Sequence, residues 1–253
     1  MSGRHRKRRR ARARLSPLTV IGELLFVAGL IVGGYLLWQP WYTTVVVAGE
    51  QVEISRQVSA QLRATSPEPT APVEPGVVPA TALVGANEDF GVIYIPTFGN
   101  TFANVISEGT ASRQVLNAGD KGIGRYDSTQ MPGEPGNMGL AAHRSGPFTT
   151  PFRDIMSLRV GDAIFIETAQ GWYTYRFRSL EYVWPHETDV LSPFPRLDGV
   201  PGEDQVLTLT TCHPENWSIA ERAIAYAVLE DFQPSSDGPP AELLEFNPAI
   251  EAV

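Results

Sequence analysis

The chain has 253 residues, 43% of them hydrophobic and 19% charged, a composition that suits one globular domain with a real core plus additional segments. The formal net charge of -8 conceals an asymmetry: the first fourteen residues carry eight Arg or Lys and no acid, leaving twelve basic residues against 28 acidic ones in the remainder. An acidic body argues against nucleic-acid binding. A single cysteine excludes an intramolecular disulfide, and one Cys with four His in no paired spacing gives no zinc pattern, so neither metal nor organic cofactor is expected.

The chain opens on a basic tail, residues 1–17. Residues 18–38, from Leu18 to Trp38, are predominantly apolar, with Glu23 the only charge. At about 1.5 Å per residue they make a helix of roughly 31 Å, enough to cross a bilayer core. Trp38, Trp41 and Tyr42 form an aromatic anchor at its far end, and the basic flank is expected in the cytoplasm with the body outside. A cleaved signal peptide is the competing reading. The apolar stretch is longer than a signal core, and bulky aromatics follow it.

Residues 39–88 begin weakly helical and then gain Pro67, Pro69, Pro72, Pro75 and Pro79, a composition expected to form an extended spacer. The folded body is expected over residues 89–233, with a tail at 234–253. Gly91 to Pro96 reads as a strand closed by proline. Further strand candidates are 122–126, 138–143, 162–168, 172–183, 205–211 and 223–230, with short helices at 111–116 and 152–158. The whole predicts a mostly β domain, a closed barrel with short helices between strands.

Chemistry concentrates in Thr208-Leu209-Thr210-Thr211-Cys212-His213-Pro214. Pro214 ends the ladder and leaves Cys212 at a strand tip, where a side chain can meet a cleft. Because strand side chains alternate, Thr208 and Thr210 share the face of Cys212, while Thr211 and His213 point away. The adjacent His213 is therefore the wrong partner for the thiol. His143 ends a separate strand candidate and can meet Cys212 where two strand ends open on one rim; His186 is the reserve. Arg222 lies just before the next apolar strand, where a strand-loop-strand return brings its guanidinium toward Cys212. A fixed cation there can stabilise an oxyanion during acyl transfer. On composition and periodicity alone, a packed, inert cysteine in a display module remains open beside a thiol enzyme.

These motifs resemble the sortases. The TLTTC run, the upstream Gly139-Leu140-Ala141-Ala142-His143-Arg144 and the downstream Arg222 are similar to that family's Cys–His–Arg constellation. Pro151-Phe152-Arg153-Asp154 and Val160-Gly161-Asp162 resemble stretches that follow the His loop, and the similarity covers roughly residues 89–233. TLTTCHP, the amino-terminal anchor and the Pro-rich stalk look most like class E. Ser145 to Thr150 departs from the family's usual loop, which often carries a Tyr.

The resemblance implies a closed β-barrel of about eight strands and a cysteine transpeptidase. Cys212 would attack the Thr carbonyl of an LAXTG-like sorting signal on a secreted protein. His143 would serve as general acid and then base, and Arg222 would hold substrate and oxyanion. Thr210 and Thr211 would line the signal, Thr211 through its backbone or hydroxyl. A peptidoglycan precursor amine would take the acyl group. Pilin polymerisation is the alternative within the family.

Overall fold

The computed structural model describes residues 16–42, 48–67, 77–197, 202–215 and 220–252. The basic tail up to residue 15 and the stalk prolines Pro69, Pro72 and Pro75 lie outside the described residues. The chain forms two compact units, Met1–Tyr42 and Thr43–Val253. In the first, helix α1 (Pro17–Trp41) is long and apolar enough to cross a membrane. Its leucines, valines and isoleucines are exposed, and Trp38 stacks on Tyr42 with ring centroids 4.8 Å apart at its end.

The second unit is built on eight strands: β1 (Asp89–Tyr94), β2 (Ala103–Glu108), β3 (Ile123–Arg125), β4 (Gly136–Ala142), β5 (Ala163–Thr168), β6 (Gly171–Val183), β7 (Gln205–His213) and β8 (Glu221–Pro234). They close into a barrel in the order β1-β2-β3-β4-β7-β8-β6-β5, with β5 returning to β1. Two neighbour pairs, β2–β3 and β4–β7, run parallel, and the rest are antiparallel. Period-two alternation fills the interior. Ile93, Met138, Leu140, Ala142, Ile164, Ile166, Leu207, Leu209, Ala223 and Ala225 belong to one buried cluster, so their sequence neighbours on the same strands face outward.

The strand β2 has no counterpart among the sequence expectations. Its polar residues Asn104, Ser107 and Glu108 are buried, and the neighbouring strands supply partners for the last two. Ser107 donates to Asp89 at 2.6 Å. Glu108 takes a forked pair from Arg125 at 2.8 and 2.7 Å, two residues that stand opposite each other in the β2–β3 register.

The folded body also extends beyond residues 89–233. Helix α2 (Ala48–Ala64), inside the expected spacer, presents a buried face of Gln51, Ser55, Ser59 and Leu62, spaced three and four apart as one helical stripe requires. Buried Glu167 of β5 accepts from Ser59 and from Arg63, each at 2.9 Å, and from the Tyr94 hydroxyl at 2.7 Å. Tyr94 is held well above the usual phenol range, first by burial and then by the Glu167 charge. Residues 77–84 also lie on the barrel: Pro79 accepts from the Tyr173 hydroxyl at 2.6 Å, and Val78 and Val84 pack on the core. At the other end, α3 (Ala241–Phe246) and the turn Pro248–Ala252 contribute Leu243 and Ile250 to a second buried cluster with Trp172. Spacer and tail are thus partly wall.

Candidate active site

The strand β7 carries Cys212 as its next-to-last residue and is flanked by β4 and β8. In the antiparallel β7–β8 ladder, Cys212 stands opposite Arg222. In the parallel β4–β7 ladder, Gly136 stands opposite Gln205 and Ala141 opposite Thr210. Side chains carry that register past the end of β4. The Thr211 hydroxyl donates to the Ala142 carbonyl at 2.8 Å, and Arg144 donates to His213 Nδ1 at 2.8 Å. The residue between those contacts on one strand is His143, and on the other it is Cys212. His143, Cys212 and Arg222 therefore form one row across three neighbouring strands.

Alternation fixes the face of this row. Leu207 and Leu209 point into the barrel, so Thr208, Thr210 and Cys212 point out of it. Cys212 is a free thiol at intermediate exposure. The Arg222 guanidinium, half-buried, donates to the Glu221 carbonyl at 3.0 Å. His143 is half-buried beneath Phe148, whose ring stacks on the imidazole at 5.7 Å and 25°. Burial pushes the His143 pKa below the ordinary 6.5, because a charged imidazolium loses solvation there. On its other side, Nε2 lies 2.7 Å from Asn117 Oδ1.

His213 is turned away, as alternation predicts. It accepts from Arg144 and packs against the Tyr182 ring at 4.1 Å, and burial followed by the Arg144 charge lowers its pKa. The reserve residue His186 is exposed on the β6–β7 connection. Thr210 faces the same way as Cys212 and is covered by Tyr126, whose hydroxyl is 2.9 Å from Thr210 Oγ1. Thr211 points away from that face, as alternation predicts: its hydroxyl donates to the Ala142 carbonyl on the core side, so it joins strands and does not present that hydroxyl outward.

The walls around the row are set by buried polar groups. Asn137, fully buried, accepts from Thr208 at 2.7 Å and donates to the Val190 and Ser192 carbonyls at 3.2 and 3.1 Å. One amide thereby ties the β6–β7 connection to the outward face of β4 and β7. Gly139 lets Tyr126 and Leu191 close in together: a Cβ there would sit 2.8 Å from Leu191 Cδ2 and 3.2 Å from Tyr126 Cδ2. Sequence reasoning missed Asn117 and Tyr126. No local pattern marks either, since their partners lie 26 and 84 residues away.

Comparison with known proteins agrees with this geometry. Residues 93–230 match the sortase domain family. Sortase SrtE1 of Streptomyces coelicolor is 31% identical over 249 residues, a match that takes in 94% of this chain and 65% of that protein's length. Among solved structures, a SrtA sortase from Actinomyces oris superposes with a TM-score of 0.59 at 33% identity, over 66% of this chain and 94% of that one. Sortase E1 from Streptomyces coelicolor, solved with a tripeptide in its active site, gives 0.56 at 32% identity, over 63% and 99%. A barrel of this strand order, the Cys–His–Arg row on its outward face and the extent of these matches lead to one conclusion: the chain belongs to the sortase family and is of the class E type.

Proposed function

We propose that this protein is a membrane-anchored cysteine transpeptidase that cleaves an LAXTG-like sorting signal after Thr and passes the acyl group to a peptidoglycan precursor amine. The observation that carries the reading is the row of His143, Cys212 and Arg222 on adjacent strands, open to one side of the barrel.

In this scheme the Cys212 thiolate attacks the Thr carbonyl carbon. The carbonyl oxygen becomes an oxyanion, and the Arg222 guanidinium is the cation placed to receive it. His143 gives its proton to the leaving glycine amine as the C–N bond breaks, which leaves an acyl thioester on Cys212. An incoming amine then attacks the thioester. His143 takes the proton from that amine, and the thiolate is expelled. Thr210 and Tyr126 form the floor next to the thiol, where the signal's backbone would run.

Burial of His143 under Phe148 supports this role, because a lowered imidazole pKa makes the imidazolium a stronger acid toward the leaving amine. The tripeptide in the active site of the sortase E1 relative supports a peptide substrate. Helix α1 and the basic flank support a single-pass anchor with the catalytic unit outside the cell. The test is product analysis with an LAXTG-like peptide, with and without an added amine. Amine adduct formation that Cys212→Ala abolishes is the expected result. Cleavage that ignores the amine would make the protein a hydrolase.

A further inference from the structure

The β6–β7 connection carries Arg196, whose backbone lies in the left-handed region at φ 63°, a conformation that residues other than glycine rarely adopt. Its guanidinium gathers three carboxylates. It donates to both oxygens of Glu181 at 2.9 and 3.2 Å, to both oxygens of Asp189 at 3.1 and 3.0 Å, and to Glu187 at 3.1 Å. These three acids belong to different parts of the wall. Glu181, on β6, also accepts from the Tyr226 hydroxyl of β8 at 2.6 Å. Glu187 accepts from the Trp184 N–H at 2.7 Å, where the connection leaves β6. Asp189 lies in the short turn Thr188–Leu191.

That turn also stands beside the row. Val190 packs in a buried cluster with Val183 and Ile224, and Leu191 closes on Gly139 beside Tyr126. We propose that Arg196 is a positioning residue for the sorting peptide: it draws β6, the turn and the start of the connection around one cation, and so fixes the Val190–Leu191 wall along the face of Thr210 and Cys212. The proposal rests on the reading of that face as the peptide's path. A guanidinium suits this task because its planar fork can hold two carboxylates in two-point pairs at once. Three carboxylates left without their cation repel one another, so the turn should open when the cation is lost. Cys212 itself is held by the ladders of β7 with β4 and β8, so its reactivity should not depend on this cluster.

The test uses the full chain in detergent micelles, a fluorogenic LAXTG-like peptide, and iodoacetamide as a small probe of the Cys212 thiol. Arg196→Gln should raise KM about tenfold, within the range of coupling carried through a packed network. Its kcat should stay within about twofold of the wild type, the signature of lost binding in ground and transition state alike. Alkylation of Cys212 in the absence of peptide should match the wild type. Arg196→Lys should give an intermediate KM, because a point charge replaces a fork. Arg196→Gly adopts the left-handed turn without strain, so it removes the guanidinium alone and should raise KM as Arg196→Gln does.

A wild-type KM in Arg196→Gln would overturn the proposal, whatever its melting temperature, since a merely structural ion-pair cluster lowers stability without moving KM. Should that variant fail to fold, Arg196→Gly decides in the same way. A loss confined to kcat and accompanied by slower alkylation would also overturn it, because the guanidinium would then act on the thiol. A wild-type protein that turns over no such peptide would remove the peptide-path reading itself, and the role of Arg196 with it.

Discussion

Thr211 donates its hydroxyl to the carbonyl of Ala142 at 2.8 Å, so the residues immediately before Cys212 and His143 are tied together across two parallel strands. The register of the row is thereby set one position back from Cys212 and His143, on the core side, where water does not compete. Arg144 and His213 repeat the tie one position ahead.

Thr211→Val keeps the shape and removes the donor. A buried carbonyl left without its partner costs about 1–3 kcal/mol. The midpoint of denaturant unfolding should fall accordingly, and kcat/KM should drop with it as the His143–Cys212 separation loosens. Unchanged turnover in a destabilised variant would mean that the main-chain ladder alone holds the register.

Arg222 stands opposite Cys212 in the β7–β8 ladder. Arg222→Ala should lower kcat by roughly 10²–10³, the size found when an oxyanion donor is removed. Arg222→Lys should recover part of this, since an ammonium keeps the charge and loses the planar fork. Steady-state kinetics with a fluorogenic sorting peptide distinguishes a loss in kcat from a loss in KM.

The pH dependence follows from burial of His143. Turnover needs the Cys–His pair to hold one proton between them, so activity falls on the acid side when the imidazole is protonated beside a neutral thiol. Burial lowers that imidazole below 6.5, and the acid limb of kcat/KM should therefore lie below 6.5. Phe148→Ala opens the ring to water and should move the limb upward. An acid limb at or above 6.5 in the wild type, unmoved by this substitution, would contradict the assignment.

Glu108 and Arg125 form a buried, forked ion pair beneath the loop that presents Tyr126. Arg125 also donates to the Tyr126 carbonyl at 3.1 Å and to the Thr129 carbonyl. Breaking one side of such a pair costs about 3–5 kcal/mol. Glu108→Ala should lower stability by that amount in chemical denaturation, whereas Arg176, partly exposed between the exposed carboxylates of Glu230 and Glu242, should tolerate loss of one partner far better.

The parts of this molecule that were legible in its sequence are those with local signatures. The strand β7 announces itself by alternation, and Pro214 closes it. The same alternation turns His213 away from Cys212, toward Arg144 and Tyr182. Helix α2 was read as the start of a spacer because its buried stripe, Gln51, Ser55 and Ser59, is polar. Glu167 and Gly119, which receive two of those side chains, lie far along the chain. The strand β2 hid for a similar reason, since Ser107 and Glu108 become wall residues only once Asp89 and Arg125 stand beside them. Asn117 had no signal at all: only the closed barrel brings it to His143.

The central claim is acyl transfer through Cys212, and mass spectrometry of the trapped enzyme tests it most directly. The full chain, in detergent and at low temperature, is mixed with LAXTG-like and related sorting peptides, quenched in acid and digested. A Cys212-containing fragment heavier by the acyl portion ending in Thr, and discharged by added amine to give the matching adduct, is the predicted result. Peptide cleavage that leaves Cys212 unmodified and persists in Cys212→Ala would contradict it.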